Sequence, residues 1–525
     1  MDPVRIGVSP PSYRDRLDWL FGLLEQAYNV RFCATSPERI HAGGAGIVFH
    51  EEGEPPPLPP AALLYMVDAS GPAATQELSF TRDPLLDGRF HGRTLTEKSL
   101  PLLRPLCAEG ARVLCSSAGG PVWVRRETRS GRCDVVRLPG GDWLSRVTLW
   151  ENLQDQRFFI VLTLVHFLKS VLGDSGWRPP PLRAVIMVDD PNLRTMRYGE
   201  FRFADVVDAA RRHRFHVSIG VSPIDLPATS RAVVEFIRRN ADVLSLSIHG
   251  NDHTHYELLR ITDEGRALAV ASQMLRRVER FENRHRLRVS RVVVPPNELA
   301  SEHFVRALGR LPFDAMTSSR PFPWLPPNAW TSGAGPDDGL LAWFPGSFVA
   351  GGFPIIRRSG YARSLVQRAF LDQPLIRYFH HGAFSGGMVR AIQAADEINT
   401  LGKVRWMSLE EIALSNLQTR LEGGTLWVRP FSRRVQVEIP RGVRELRVAL
   451  PAARWEGPPL VARVDGRPAV SPAAPTISVI PGSTAEIALV RDDAVDHRAF
   501  SDSRAPLPAW LHRRAGEAVD RLRLR

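Results

Sequence analysis

Between Leu182 and Asn416 the chain alternates short apolar, β-branched runs with longer stretches of helical periodicity, and few folds accommodate that rhythm. The strand candidates are "AVIMV", "HVSIGV", "VLSLSIH", "RVVVP", "DAMTS", "PIIRR" and "LIRYFH". Between them lie helix candidates such as Phe203–Arg214 and the long Asp263–Arg284 segment, whose apolar residues recur at helical spacing. Strands joined through helices run parallel, and this many βα units in one segment predict a barrel, complete or with one strand missing.

Two of these strands end in residues that an apolar core does not explain. "LRAVIMVDDPNL" closes on Asp189 and Asp190, two adjacent carboxylates followed by proline. Taken alone, Asp-Pro-Asn is turn chemistry. "LSLSIHGNDHTHYEL" runs into His249, with His253 four residues on, a spacing that lets two imidazoles reach one ion. Functional groups of parallel barrels gather at the C-terminal ends of several strands. A carboxylate with two imidazoles suits Zn²⁺ or a similar divalent ion. Its charge would also offset the repulsion between Asp189 and Asp190.

The Asp-Asp pair and "HGNDH" resemble the first two motifs of the polysaccharide deacetylases, the NodB-homology carbohydrate esterases, in a divergent form with Gly250 where that family has Ser or Thr. The resemblance covers roughly residues 183–414. It implies an incomplete or distorted (β/α) barrel and a metal-dependent hydrolase removing an N-acyl or O-acyl group, acetyl first of all, from a carbohydrate or glycoconjugate. It also implies one divalent ion, Zn²⁺ by preference, held by Asp190, His249 and His253, with Asp189 as general base. The family's third motif, R-x-P-Y-G, corresponds most nearly to "VVVPPNE", which keeps Pro295-Pro296 but lacks the Arg and Gly. Arg357 in "FPIIRR" is the expected substitute for that Arg, and a backbone N–H near Pro296 and Asn297 is the expected oxyanion donor. The last motif, a strand ending in an acid histidine, corresponds to "PLIRYFHHG". His380 directly ends the apolar run, so it is preferred over His381 as the acid, with His381 left beside the substrate.

Two other readings compete. A non-catalytic carbohydrate-binding or scaffold protein could retain the barrel without the missing third-motif residues. Another barrel metallohydrolase or glycosidase would need a second acid, for which Glu298 and Glu257 are the candidates.

The rest of the chain is organised around this barrel. Residues 1–176 read as a small α/β parallel-sheet domain of flavodoxin-like or amidotransferase-like layout, with "GGPVWVRR" and "CDVVRLPGG" as a late hairpin. The barrel domain spans 177–416. Residues 417–492 alternate apolar and polar positions between Gly and Pro breaks, as a β-sandwich does. Residues 493–525 form a basic tail with a short amphipathic helix, solvated by default. A net charge of +12 raises nucleic-acid binding, but no clustered basic stripe with interleaved aromatics accompanies it. Cys33, Cys107, Cys115 and Cys133 show no CxxC spacing, which fits a reducing compartment, and Cys115 reads as structural. No export signal or membrane span is evident, so a cytoplasmic protein is expected. The apolar run Phe158–Leu168 is too short to span a bilayer and reads as a buried helix between domains. The sequence leaves the oligomeric state open.

Overall fold

The structure is a computed structural model. It describes residues 3–40, 44–51, 58–68, 74–100, 103–128, 131–140, 156–254, 256–319, 322, 324, 347–360, 364–450, 460–468, 476–500 and 507–522. Parts of the basic tail, 501–506 and 523–525, therefore lie outside the described residues. The chain forms two compact units, the first made of Met1–Arg178 with two short later segments, the second of the remainder.

Seven strands of the second unit close into a barrel. They are β1 (Arg183–Asp189), β2 (Val217–Val221), β3 (Leu244–His249), β4 (Ser290–Val294), β5 (Ala315–Ser318), β6 (Phe353–Ser359) and β7 (Leu375–His380). Each pairs in parallel with the next, and β7 and β2 both pair with β1, so the sheet has no open edge. This is the barrel with one strand missing.

Strand alternation decides what enters its interior. Val185 and Met187 of β1 pack with Val292, Val294, Ala315, Ile356 and Ile376 in one buried cluster, beneath which Leu409, Ile412 and Ala413 fill the barrel's lower end. Two residues further along the same faces come Asp189, Arg358, Tyr378 and then His380. The strands thus carry an apolar plug below and a polar ring above. Long connections follow β3 and β4: α1 (Glu264–His285), capped by the Asp263 side chain, and the helix Glu302–Gly309, capped by Ser301.

A β-sandwich follows in the same unit. Leu417–Glu422, Thr425–Pro430, Glu445–Val448 and Thr476–Ser478 form one sheet, and Arg434–Glu438, Thr484–Arg491, Leu460–Val464 and Arg467–Pro468 the other. Their inner faces bury Val428, Val435, Leu446 and Ile487. A last helix, α2, spans Leu507–Leu522.

The first unit is a nine-stranded mixed sheet. Val30–Ala34, Val4–Ser9, Ala45–His50, Ala61–Val67 and Gly131–Leu138 run parallel, in that spatial order. Gly131–Leu138 then pairs antiparallel with Gly120–Thr128, the anticipated hairpin, and the sheet continues antiparallel through Arg112–Ser117, Ala74–Phe80 and Thr94–Leu100. The apolar run is the buried helix Phe159–Leu172. Its Thr163 hydroxyl pairs with Tyr65 of this unit's sheet at 2.8 Å. No described helix is long and apolar enough to cross a membrane.

Candidate metal centre

Asp190 follows the last residue of β1 and takes a positive φ of 83°. His249 is the last residue of β3. His253 lies on the loop beyond it, not on a helical turn, and reaches back through its own positive φ of 54°. The result is a triangle of donor atoms. Asp190 Oδ1 lies 3.1 Å from His249 Nε2 and 2.6 Å from His253 Nε2, and the two Nε2 atoms are 3.1 Å apart. Ligands 2.0–2.1 Å from a tetrahedral ion stand about 3.3 Å apart, so the set fits a zinc-like ion.

The tautomer fits as well. His249 Nδ1 faces the Val294 carbonyl at 3.1 Å, and because a carbonyl only accepts, Nδ1 carries a proton, which leaves Nε2 as the ring atom a metal would take in place of its proton. Burial opposes charge at Asp190, yet His253, His249 and His380 outweigh it and hold its carboxyl well below the usual carboxylate range.

The loop between the histidines is fixed from behind. The Glu257 carboxylate accepts from the backbone N–H of Asn251 (2.7 Å) and Asp252 (2.8 Å). From α1, Gln273 accepts from the Asn251 amide at 2.8 Å, and Arg277 donates to Asn251 Oδ1 at 2.8 Å. Gly250 sits at φ +62°, and a Cβ there would overlap Glu257 and Pro296. The glycine that departs from the family's H-[ST]-x-x-H pattern is therefore required by this loop's own packing.

Asp189 is built differently. It ends β1 facing the barrel interior, where Arg358 Nη1 lies 3.0 and 2.7 Å from its two oxygens. Arg358 Nη2 makes a short ion pair with Glu298, whose carboxylate also accepts from the Ser319 N–H at 2.5 Å. The Arg358 guanidinium stacks over Tyr378, 4.2 Å from the ring centroid. Gly220 of β2 makes room for this arrangement, since a Cβ there would crowd Asp189 Oδ1 at 3.1 Å and His249 Cβ at 3.2 Å.

The guanidinium beside Asp189 is thus Arg358, not Arg357. Ile356 belongs to the interior cluster, so alternation turns Arg358 inward and sends Arg357 to the opposite face of β6, where it is also buried. Glu257 and Glu298, the candidate second acids, are committed to loop backbone and to Arg358.

His380 ends β7, and its Nδ1 lies 2.9 Å from Asp190 Oδ2. The strand stops there and a 3-10 turn begins at His381, so the second histidine is not forced to the far face. His381 Nδ1 comes within 3.6 Å of the same oxygen, with its ring edge-to-face against Tyr198. The His380 side chain is 65% exposed and that of His381 11%. Pro296 is buried against the histidine loop, while Asn297 is exposed at φ +57°. Of these two only Asn297 has a backbone N–H to offer.

No family model matches the sequence, and no curated protein matches it. Solved structures do. Agd3, a carbohydrate deacetylase, is similar over 93% of this chain and 98% of its own, at 11% identity and a TM-score of 0.45. A peptidoglycan N-acetylglucosamine deacetylase is similar over 45% of this chain and 90% of its own, at 12% identity and a TM-score of 0.27. A family 4 carbohydrate esterase from Bacillus anthracis is similar over 45% of this chain and 84% of its own, at 11% identity and a TM-score of 0.27. At such similarity, function has to be read from the site's own chemistry.

Two further groups reach the site without a sequence signal. Asp225, on the 3-10 segment after β2, is buried and accepts from Arg194 at 2.7 Å. It also accepts from Arg513 of α2 at 2.8 Å. The tail helix exists as read, but it is not simply a solvated end, because Arg513 is only 7% exposed.

Proposed function

We propose that this chain is a metal-dependent hydrolase that removes an N-acyl or O-acyl group, acetyl by the motif resemblance, from a carbohydrate or glycoconjugate. The observation that carries the proposal is the convergence of Asp190 Oδ1, His249 Nε2 and His253 Nε2, with His249 Nδ1 turned to the Val294 carbonyl so that Nε2 is its ligating atom. A zinc-type ion held there supplies Lewis acidity, polarising an acyl carbonyl and lowering the pKa of a water towards about 7.

The chain's own residues divide the remaining work. Asp189 takes up a proton at its carboxylate, which Arg358 keeps oriented. His380 donates a proton to the departing nitrogen or oxygen. Its Nδ1 is engaged by Asp190, leaving Nε2 for the substrate on the exposed side of the site. The Asn297 N–H, at the rim, is the backbone donor for the developing oxyanion.

Asp190 Oδ2 with His380 and His381 forms a second candidate ligand group. One ion is favoured over two by charge. Asp189, Glu298 and Asp225 are already met by Arg358, Arg194 and Arg513, which leaves the Asp190 charge for one divalent cation, and a second would leave a large uncompensated excess. The binding-only reading drew its support from the third-motif Arg missing after β4. An Arg from β6 in contact with Asp189 weakens that support.

The test is acetate release from N- and O-acetylated sugars by the metal-replete protein, with Asp189→Asn as the inactive control that still holds metal. Release by the native chain and none by the variant is expected. Sugar retention without release from any acylated sugar would favour the binding reading and overturn the hydrolase.

A further inference from the structure

We propose that Arg513 is a positioning residue of the metal centre, so that α2 is a working part of the site. The inference rests on the metal-centre reading above and extends it to a residue 260 positions beyond the last of the three ligands, His253.

On α2 the buried side chains Ala509 and Arg513 are four residues apart and share one helical face, while Leu507, Trp510, Leu511 and Arg514 are exposed. The buried face delivers a guanidinium whose three nitrogens each meet the site. Nε donates to Asp225 Oδ2 at 2.8 Å. Nη2 donates to the Asp190 carbonyl at 3.0 Å. Nη1 stands 3.5 Å from His253 Nδ1, a packing contact that restricts rotation of that ring; a ligand through Nε2 keeps its proton on Nδ1, so the guanidinium does not donate there.

The Asp190 contact bears most directly on the ligands. A non-glycine residue at φ +83° is held against its backbone preference. Two hydrogen bonds hold the Asp190 backbone: its N–H donates to the Gly220 carbonyl at 3.2 Å, and its carbonyl accepts from Arg513. Without Arg513 the peptide following Asp190 loses its anchor, and the carboxylate loses its fixed aim at His249 and His253. Partners that orient metal ligands typically change affinity about 10–100-fold when removed. The fold should tolerate the loss, because Asp225 keeps Arg194 as its counter-charge.

The experiment titrates Zn²⁺ into full-length metal-free protein against a competing chelator and records the Co²⁺ ligand-field spectrum. It compares the native chain with Arg513→Ala, Arg513→Lys and Arg514→Ala. Arg513→Ala should weaken Zn²⁺ binding about 10–100-fold and alter the Co²⁺ spectrum, with the unfolding temperature of the metal-free protein little changed. Arg513→Lys, whose ammonium cannot reproduce the three-sided fork, should fall between. Arg514→Ala, exposed on the same helix, should bind as the native chain does. Unchanged or tighter binding by Arg513→Ala overturns the proposal, as does equal weakening by Arg514→Ala. If Arg513→Ala does not fold, native affinity in Arg513→Lys overturns it. A native chain that binds no ion refutes the metal centre itself, a separate failure.

Discussion

Asp189 and Asp190 are neighbours in the chain but belong to two differently built halves of the barrel mouth. The half around Asp190 is one carboxylate facing two imidazoles, assembled on β1 and β3 and held by loops with left-handed backbone at Asp190, Gly250 and His253. The half around Asp189 is a carboxylate–guanidinium–carboxylate bridge, Asp189–Arg358–Glu298, joining β1, β6 and the turn after β4. The first concentrates unshared lone pairs on one point and suits an incoming cation. The second has supplied its own cation, and Arg358 fixes the orientation of the Asp189 carboxylate. Two adjacent carboxylates can therefore hold separate roles because each has a separate positive partner.

The largest effects should come from substitutions that separate these halves. Asp190→Asn and His249→Ala should abolish stoichiometric metal binding, measured by elemental analysis of the purified chain. Asp189→Asn should retain the ion and lower turnover by a factor on the order of 10²–10⁴. Equal metal loss in Asp189→Asn and Asp190→Asn would erase the division and make the pair one shared ligand set.

Breaking the bridge should be next in size. Arg358→Ala leaves Asp189 and Glu298 buried without their shared cation, and removing one partner of a buried pair costs about 3–5 kcal/mol. Denaturant unfolding at neutral pH should show that loss. A loss under 1 kcal/mol would mean that solvent reaches this half of the mouth.

A smaller effect is expected on the imidazole side. Gly250→Ala must hold alanine at φ +62° and push against Glu257 and Pro296, costing about 1–3 kcal/mol. Zn²⁺ affinity should fall with stability, because the same loop carries His253. Unaltered affinity would show that the loop relaxes without disturbing its ligand.

The two halves also differ in how much of them the sequence reveals. Asp190, His249 and His253 are visible because each follows an apolar strand at short, fixed spacing. The seven-strand barrel is visible for the same reason, in its repeated βα rhythm. Arg358 was obscured by a single residue of register: "FPIIRR" offers two guanidiniums, and only packing of Ile356 inside the barrel shows which turns inward. With Ile356 as an interior position, alternation selects Arg358. Arg513 had no comparable signal, because a basic amphipathic helix looks the same whether one arginine is buried or all are solvated. His380 and His381 lie between these cases, since alternation separates them only if the strand continues, and it stops at His380.

The smallest effect concerns the oxygen the two imidazole groups share. Asp190 Oδ2 accepts from His380 Nδ1, and this hydrogen bond, against the opposing effect of burial and with the charges of Asp190 and Asp189, raises the His380 pKa from 6.5 to about 9. A folded-state value raised above the unfolded one gives stability that is fully present below about pH 6.5 and lost as pH rises through about 9. In metal-free protein the His380 ring protons should therefore titrate near pH 9 by NMR. An ion on Oδ1 draws on the charge of the same carboxylate, so in loaded protein the midpoint should fall by about 1–2 pH units. Asp190→Asn should lower it without metal. The protonated form is the one that can donate to a leaving group, so turnover of substrates with poor leaving groups should decline above the loaded midpoint. His380→Ala should slow those substrates far more than an activated ester, whose leaving group needs no proton. A midpoint unmoved by metal would mean that His380 answers to a charge other than Asp190. The acid role would then pass to His381, 3.6 Å from the same oxygen and shielded by Tyr198.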